Sequence, residues 1–198
     1  MHDRKMPRTI CGVDEVGRGP LAGPVTAAAT ILPPGFDVSV LRDSKALSPF
    51  RREKIEALLR EAGVLVGLGW VSHLEIDELN IHNAALLAME RAVAALIDGN
   101  APLVAATMEI VVDGRFRPPG LSRSVAIVGA DAVIPEVMAA SIVAKNARDA
   151  FMVAYAEGDN RFGFERHKGY PTKAHKDALR RYGPCPIHRR SFRGVVDG

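Results

Sequence analysis

Apolar runs alternate with polar, helix-like stretches along this chain. Ile10 to Val13 is an apolar run that meets acids at once, and Thr9–Glu15 reads as a first strand. Ala22–Leu32 reads as a second, closed by Pro33-Pro34-Gly35. The glycine- and proline-rich segment between them has the turn chemistry of a hairpin connection. Ser48 is a good N-cap with Pro49 at the first helical position, which predicts a helix to about Arg60 that ends near Gly63. Val64–Val71 reads as a third strand despite Gly67 and Gly69. Leu74–Leu79 predicts a short helical turn. Asn80 can then cap a long Ala-rich helix from about Ile81 to Ile97, with Leu86, Met89, Val93, Leu96 and Ile97 at core spacing. Glu109–Gly114 and Val125–Val128 read as two more short strands. Gly129–Pro135 leads into a helix that is small and apolar on one side from Ala139 to Asp149. Thr172 can cap a last short helix to about Tyr182. Strands interleaved with helices make this an α/β fold.

Composition narrows the class. A chain of 198 residues with 47% hydrophobic and 25% charged positions can bury a substantial core. No apolar run is long enough to span a membrane, and Met1–Arg8 is polar and lacks a signal core, so the expectation is a cytoplasmic protein with no membrane contact. Cys11 and Cys185 follow no metal spacing and read as free thiols. No repeat or low-complexity tract is apparent. The net charge of +3 hides an asymmetry. Residues 161–193 hold ten Lys or Arg against Glu165 and Asp177, a net of +8, which leaves −5 for the remainder. That distribution fits a polyanion held over a carboxylate site; a solvated basic surface is the plainer alternative.

The candidate chemistry sits at strand ends. Asp14 and Glu15 close the first strand, and Gly17-Arg18-Gly19 follows. Buried charges at a strand end need partners or a metal, and the glycines let main-chain N–H groups approach something closely. On a regular strand the two acids point to opposite faces, so both serve one site only if the strand ends or bulges there. Asp113 ends the fourth strand, where functional groups of open α/β sheets gather; an Asp-Gly turn is the alternative. Asp131 precedes a helix and reads equally well as its cap. Oxygen-only ligands suit Mg²⁺ or Mn²⁺, and four crowded acids repel one another unless cations neutralise them. Glu75, Asp77 and Glu78 read instead as a solvated face with helix N-terminal charge. Lys145 and Arg148 are placed to reach phosphate, with Asp149 as a pairing partner for either. Tyr170 could stack on a sugar or base while Lys168, Thr172 and Lys173 touch phosphates. No phosphate-binding Gly-Lys-Ser/Thr loop, Ser-His-Asp set or zinc spacing competes.

These motifs occur in an order that closely resembles ribonuclease HII, the type 2 ribonuclease H family. The resemblance runs from residue 9 to 193. It rests on Gly12-Val13-Asp14-Glu15-Val16-Gly17-Arg18-Gly19, Asp43-Ser44-Lys45, Asp113-Gly114, Gly129-Ala130-Asp131-Ala132, Ala140-Ser141-Ile142-Val143-Ala144-Lys145, Lys168-Gly169-Tyr170 and the closing His188–Phe192. It implies a ribonuclease H-like fold: a mixed five-stranded sheet flanked by helices, with a helical C-terminal part. Residues 1–198 would be one catalytic domain, and about 160–198 its basic substrate-binding part. It further implies that Asp14, Glu15, Asp113 and Asp131 are the catalytic acids and hold one or two Mg²⁺ or Mn²⁺ ions. Lys45 would lie near the nucleic-acid backbone. Gly17-Arg18-Gly19 with Tyr170 would recognise a ribonucleotide followed by DNA. The implied activity is hydrolysis of the RNA strand of RNA–DNA hybrids and nicking 5′ to single ribonucleotides in duplex DNA, leaving 3′-hydroxyl and 5′-phosphate ends. A monomer is the expected state. Asn146 stands where the family more often has an apolar residue, and Gly194 follows Arg193 where a proline is usual. Ribonuclease HIII is the nearest competitor; fewer than ten residues precede the first strand here, and Asp131 replaces its glutamate. A non-catalytic nucleic-acid-binding module and a junction resolvase are the readings from other classes. The complete acid set argues against the first, the Gly-Arg-Gly loop with Tyr170 against the second.

Overall fold

The structure, a computed structural model, describes residues 9–41, 48–100 and 108–196. Lys45, with Asp43 and Ser44, lies outside the described residues. Strands β1 (Thr9–Val16), β2 (Val25–Ile31) and β3 (Leu65–Val71) form an antiparallel meander. Strands β4 (Met108–Asp113) and β5 (Val125–Ile127) extend it in parallel on the other side of β1, giving a mixed sheet of order β3-β2-β1-β4-β5. The helices are α1 (Pro49–Glu61), α2 (His73–Asn100), α3 (Pro135–Gly158), α4 (Phe164–His167) and α5 (Lys173–Tyr182).

Small residues let helices lie close on both faces of the sheet. Helix α2 covers one face, its Ala84, Ala88 and Ala92 buried against Val13, Val25, Ala27 and Ala29. Gly67 and Gly69 belong in β3 for this reason: a Cβ at either would overlap the backbone of α2 at Ala92 or Ala88. Helix α3 covers the other face through Ala139, Ala140 and Ala144. Its first turn sits against Gly12, where a Cβ would overlap the Glu136 carbonyl. The Thr30 hydroxyl donates to that carbonyl at 2.6 Å.

Local capping fixes the element ends. Ser48 Oγ accepts from the Arg51 amide at 3.4 Å, with Pro49 opening α1. Asn80, at φ 67°, breaks α2, and its side-chain oxygen restarts the helix by accepting from the amides of His82 and Asn83 at 3.0 and 3.1 Å. Ser72 and Glu75 form a reciprocal capping box at the start of α2. Thr172 Oγ1 accepts from the His175 amide at 3.2 Å to cap α5.

The C-terminal part packs on helix α3 and on the loop between β1 and β2 through Phe162, Phe164, Leu179, Cys185 and Ile187, which bury Leu21, Ala22 and Met152. Strand β2 starts at Val25 rather than Ala22 because residues 21–23 pair with this part: Leu21 N–H donates to Gly169, Gly23 N–H to Ile187, and Arg189 N–H to Leu21. Asp77 does not form a solvated face. Its carboxylate accepts the Arg190 and Ser191 amides, both at 2.9 Å, and ties the C-terminal segment to α2. Among the described residues, no helix is long and apolar enough to cross a membrane.

Candidate active site

The parallel pairing of β1 with β4 builds the acidic rim. Val13 pairs with Val112, so the next step along both strands sets Asp14 beside Asp113 at their carboxyl ends. The pleat puts both on the α3 face. Asp14 pairs with Ala28 of the α3-side core, and Asp113 follows Val112 of the opposite core. After β5, a short 3₁₀ turn, Ala130–Ala132, carries Asp131. The Asp131 amide donates to the Asp113 carboxylate at 3.4 Å, joining the turn to the rim. Asp131 does not cap α3, whose N-cap is Ile134 with no side-chain cap bond.

Glu15 is held differently. The β1–β2 register runs unbroken from Gly12 with Thr30 to Val16 with Thr26. The bulge that would bring Glu15 to the face of Asp14 is absent, and the strand ends only after Val16. Glu15 is the penultimate residue of β1, and its carboxylate pairs with the Arg18 guanidinium at 3.2 Å. It still lies within electrostatic reach of Asp14. Burial first, then the charges of Glu15 and Asp113, hold the Asp14 carboxyl well above the usual carboxylate range. The Ser141 hydroxyl and the Glu15 amide oppose that rise by hydrogen bonding to it. Ser141 was not singled out as functional from sequence; a lone hydroxyl on the small apolar face of α3 is the signal that could have found it.

The loop from Gly17 to Pro24 is shaped from the inside by two fully buried arginines. Arg148 donates through Nε to Pro24, through Nη1 to Lys168 and through Nη2 to Ala22, all carbonyls at 2.9–3.0 Å. The expectation that Arg148 reaches phosphate is therefore overturned: each nitrogen of its guanidinium is engaged by main-chain oxygen in a site closed to solvent. Arg189, which sequence reasoning did not single out, donates to the carbonyls of Gly17, Arg18, Pro20, Gly23 and Pro24 at 2.6–3.1 Å. Gly17, at φ 95°, leaves room for this, since a Cβ there would overlap Arg148.

Outside the loop, Tyr170 stands against Gly19, where an added Cβ would lie 3.6 Å from the ring. The Lys145 ammonium lies 5.9 Å from the Tyr170 ring centroid and pairs with Asp149 at 2.7 Å. Asp149 takes Arg52 as its second partner at 3.0 Å, not Arg148. Lys168, at φ 51°, turns the chain between α4 and Tyr170 and gives its carbonyl to Arg148. Arg18 is half exposed beside Glu15. Lys145, Tyr170 and Gly17-Arg18-Gly19 thus come together, with Lys168 and Thr172 flanking Tyr170 in sequence.

Among the described residues, no three acidic, histidine or cysteine side chains already close on one point as metal ligands. The donor set itself suits a hard divalent cation, being carboxylate oxygen throughout. The crowding that lifts Asp14 is the kind that such a cation relieves.

The family model described as ribonuclease HII matches residues 11–195. Ribonuclease HII of Moorella thermoacetica is 48% identical over 184 residues, covering 93% of this chain and 86% of that one. The Nitrosococcus oceani enzyme is 50% identical over 186 residues, covering 94% and 89%. Among solved structures, ribonuclease H2 from Pyrococcus horikoshii aligns with a TM-score of 0.72 at 27% identity, over 94% of this chain and 95% of that one. Bst-RNase HIII in complex with Mn²⁺ aligns at 0.75 with 19% identity, over 97% and 69%, and shares the fold. The chain belongs to the ribonuclease HII family as a metal-dependent endoribonuclease of the ribonuclease H type.

Proposed function

We propose that this enzyme hydrolyses the RNA strand of RNA–DNA hybrids and nicks duplex DNA on the 5′ side of a single embedded ribonucleotide, leaving 3′-hydroxyl and 5′-phosphate ends. The observation that carries this reading is the Tyr170 ring, 38% exposed, standing against Gly19 of the Gly-Arg-Gly loop. Only the 2′-hydroxyl distinguishes RNA from DNA at a given nucleotide. The missing side chain at Gly19 leaves the main chain open to a sugar on the Tyr170 side, Gly17 lets the loop close over Arg148, and the exposed ring supplies a stacking surface.

Asp14, Asp113 and Asp131 would hold one or two Mg²⁺ or Mn²⁺ ions, with Glu15, one residue further along β1 and within electrostatic reach of Asp14, as the fourth acid expected from sequence. When bound, such ions polarise the scissile phosphate and acidify water for in-line attack. The protein's own groups prepare the site. Ser141 and the Glu15 amide orient the Asp14 carboxylate, and the Asp131 amide holds that of Asp113. Arg18, Lys145 and Lys168 attract the phosphate backbone, Thr172 adds a hydroxyl beside Tyr170, and Lys45 keeps the backbone role expected from sequence. Residues 1–198 act as one catalytic domain, with about 160–198 as its basic part, in a cytoplasmic monomer whose partners are hybrids and ribonucleotide-containing duplexes.

The test is cleavage of a DNA duplex containing one ribonucleotide, with Mg²⁺ or Mn²⁺ and an EDTA control, with the cut position mapped. A metal-dependent nick immediately 5′ to the ribonucleotide is expected. Cleavage confined to long hybrids would remove the junction role of Gly17-Arg18-Gly19 and Tyr170. Asp113→Asn should abolish cleavage while duplex binding persists. Normal turnover in that variant would remove Asp113 from the site.

A further inference from the structure

Behind Tyr170 lies a buried cluster that the chemistry above does not use. His175 and His188 are fully buried among Phe162, Phe164 and Cys185. Their Nε2 atoms meet at 3.0 Å. At one end of the pair, His175 Nδ1 is 3.0 Å from the Tyr170 carbonyl. At the other, the Cys185 amide lies 2.9 Å from His188 Nδ1. A carbonyl only accepts and an amide only donates; His188 Nδ1 also lies 3.3 Å from the Cys185 carbonyl, but the amide contact is the shorter, so both ends favour the same order of protons. His175 must carry its proton on Nδ1 and His188 on Nε2, and each bond then points from Cys185 toward Tyr170. The reverse order would set a lone pair against the Tyr170 carbonyl and an N–H against the Cys185 amide. A proton added to either ring would set two N–H groups face to face.

A third ring completes the arrangement. His167 stacks on His175 with centroids 4.7 Å apart and planes 16° apart. Its Nε2 lies 2.8 Å from the Phe162 carbonyl, and its Nδ1 accepts the Gly169 amide at 3.2 Å. The main chain is therefore gripped on both sides of the Gly169-Tyr170 pair: by His167 at the Gly169 amide and by His175 at the Tyr170 carbonyl.

The geometry points to His167, His175 and His188 as positioning residues: rings of fixed tautomer that lock the main chain around Tyr170 and thereby set its ring against Gly19. The functional half of this rests on the junction role proposed for Tyr170; the tautomer half does not. Burial pushes both members of the pair down, His188 to about 4, so the neutral state persists at neutral pH. The ionisable groups facing the pair are His167, Cys185, Asp159 and His73.

The first arm of the test is imidazole ¹⁵N NMR of the wild-type protein at pH 7. His175 should appear as the Nδ1–H tautomer, and His167 and His188 as Nε2–H tautomers. The opposite tautomer, or a charged ring, at His175 or His188 overturns the relay whatever the function of Tyr170. The second arm compares kcat/KM for a single-ribonucleotide duplex and for a long hybrid. His175→Leu should lower the ratio of the two by about the same factor as Tyr170→Ala. His175→Asn, whose side-chain amide can still donate to the Tyr170 carbonyl, should restore most of it. The double variant Tyr170→Ala, His175→Leu should be no less selective than Tyr170→Ala alone. Equal losses on both substrates, or losses that multiply in the double variant, would leave His175 a merely structural residue. A silent Tyr170→Ala would remove the junction reading and the functional half, and the tautomers would still decide the relay.

Discussion

At the scale of single residues, Asp14 shows the cost of preparing a site before its ions arrive. Its carboxylate is buried and faces two other acids, so the folded protein resists its ionisation. Asn in its place keeps an oxygen for the Glu15 amide and removes the charge. Asp14→Asn should therefore raise the melting temperature in EDTA by a few degrees, on the order of 1 kcal/mol, while abolishing cleavage. Calorimetry of the two proteins checks it, and an unchanged or lower melting temperature would mean that the repulsion is already relieved. The acids were legible in the sequence because each ends an apolar strand or opens a turn. The face of Glu15 was not: whether a strand bulges depends on its pairing with β2, not on the two acids themselves.

At the scale of elements, the loop between β1 and β2 depends on residues far away in the chain. Capping by Ser48, Asn80 and Thr172 could be read locally, because each side chain binds amides two or three residues on. Arg148 and Arg189 could not. Their acceptors lie more than a hundred residues earlier, apart from Lys168, and only folding shows that these cations serve main-chain oxygens rather than phosphate. Arginine is needed for the planar, five-donor fork; lysine offers a point charge with three donors. Arg189→Lys should leave at least two loop carbonyls unpaired and cost about 3 kcal/mol, a drop in melting temperature on the order of 10 °C. It should also reduce selectivity for the single-ribonucleotide duplex, although Arg189 is closed to solvent. Thermal unfolding with the two-substrate assay checks both, and unchanged selectivity would mean that the loop holds its shape without the fork.

At the scale of the whole molecule, the strands and helices followed from hydrophobic periodicity and the mixed sheet from the family resemblance, whereas the docking of the C-terminal part followed from neither. That part carries the buried histidines, which give folding a defined pH dependence. An unfolded histidine titrates near 6.5, and folded His188 is pushed down to about 4. The unfolded chain takes up the proton first, so stability falls as pH drops from about 6.5 toward 4. At pH 5, His188 alone accounts for a loss of about 2 kcal/mol relative to neutral pH, and burial of His73 and His175 acts in the same direction. The buried Asp14 carboxyl works in the opposite direction, so urea unfolding of Asp14→Asn at pH 7 and pH 5 measures the histidine contribution; equal stabilities in that background would contradict the neutral relay. The grip of Arg189 on the loop has a consequence of its own. In a trans peptide the N–H points opposite to the C=O. Because the carbonyls of Gly17 and Arg18 face inward to Arg189, the amides of Arg18 and Gly19 face the other way. A guanidinium near the end of the chain thus polarises the peptide planes near its beginning. The outer surface of the turn presents hydrogen-bond donors, matched to hydroxyl and phosphate oxygen before any nucleic acid is bound.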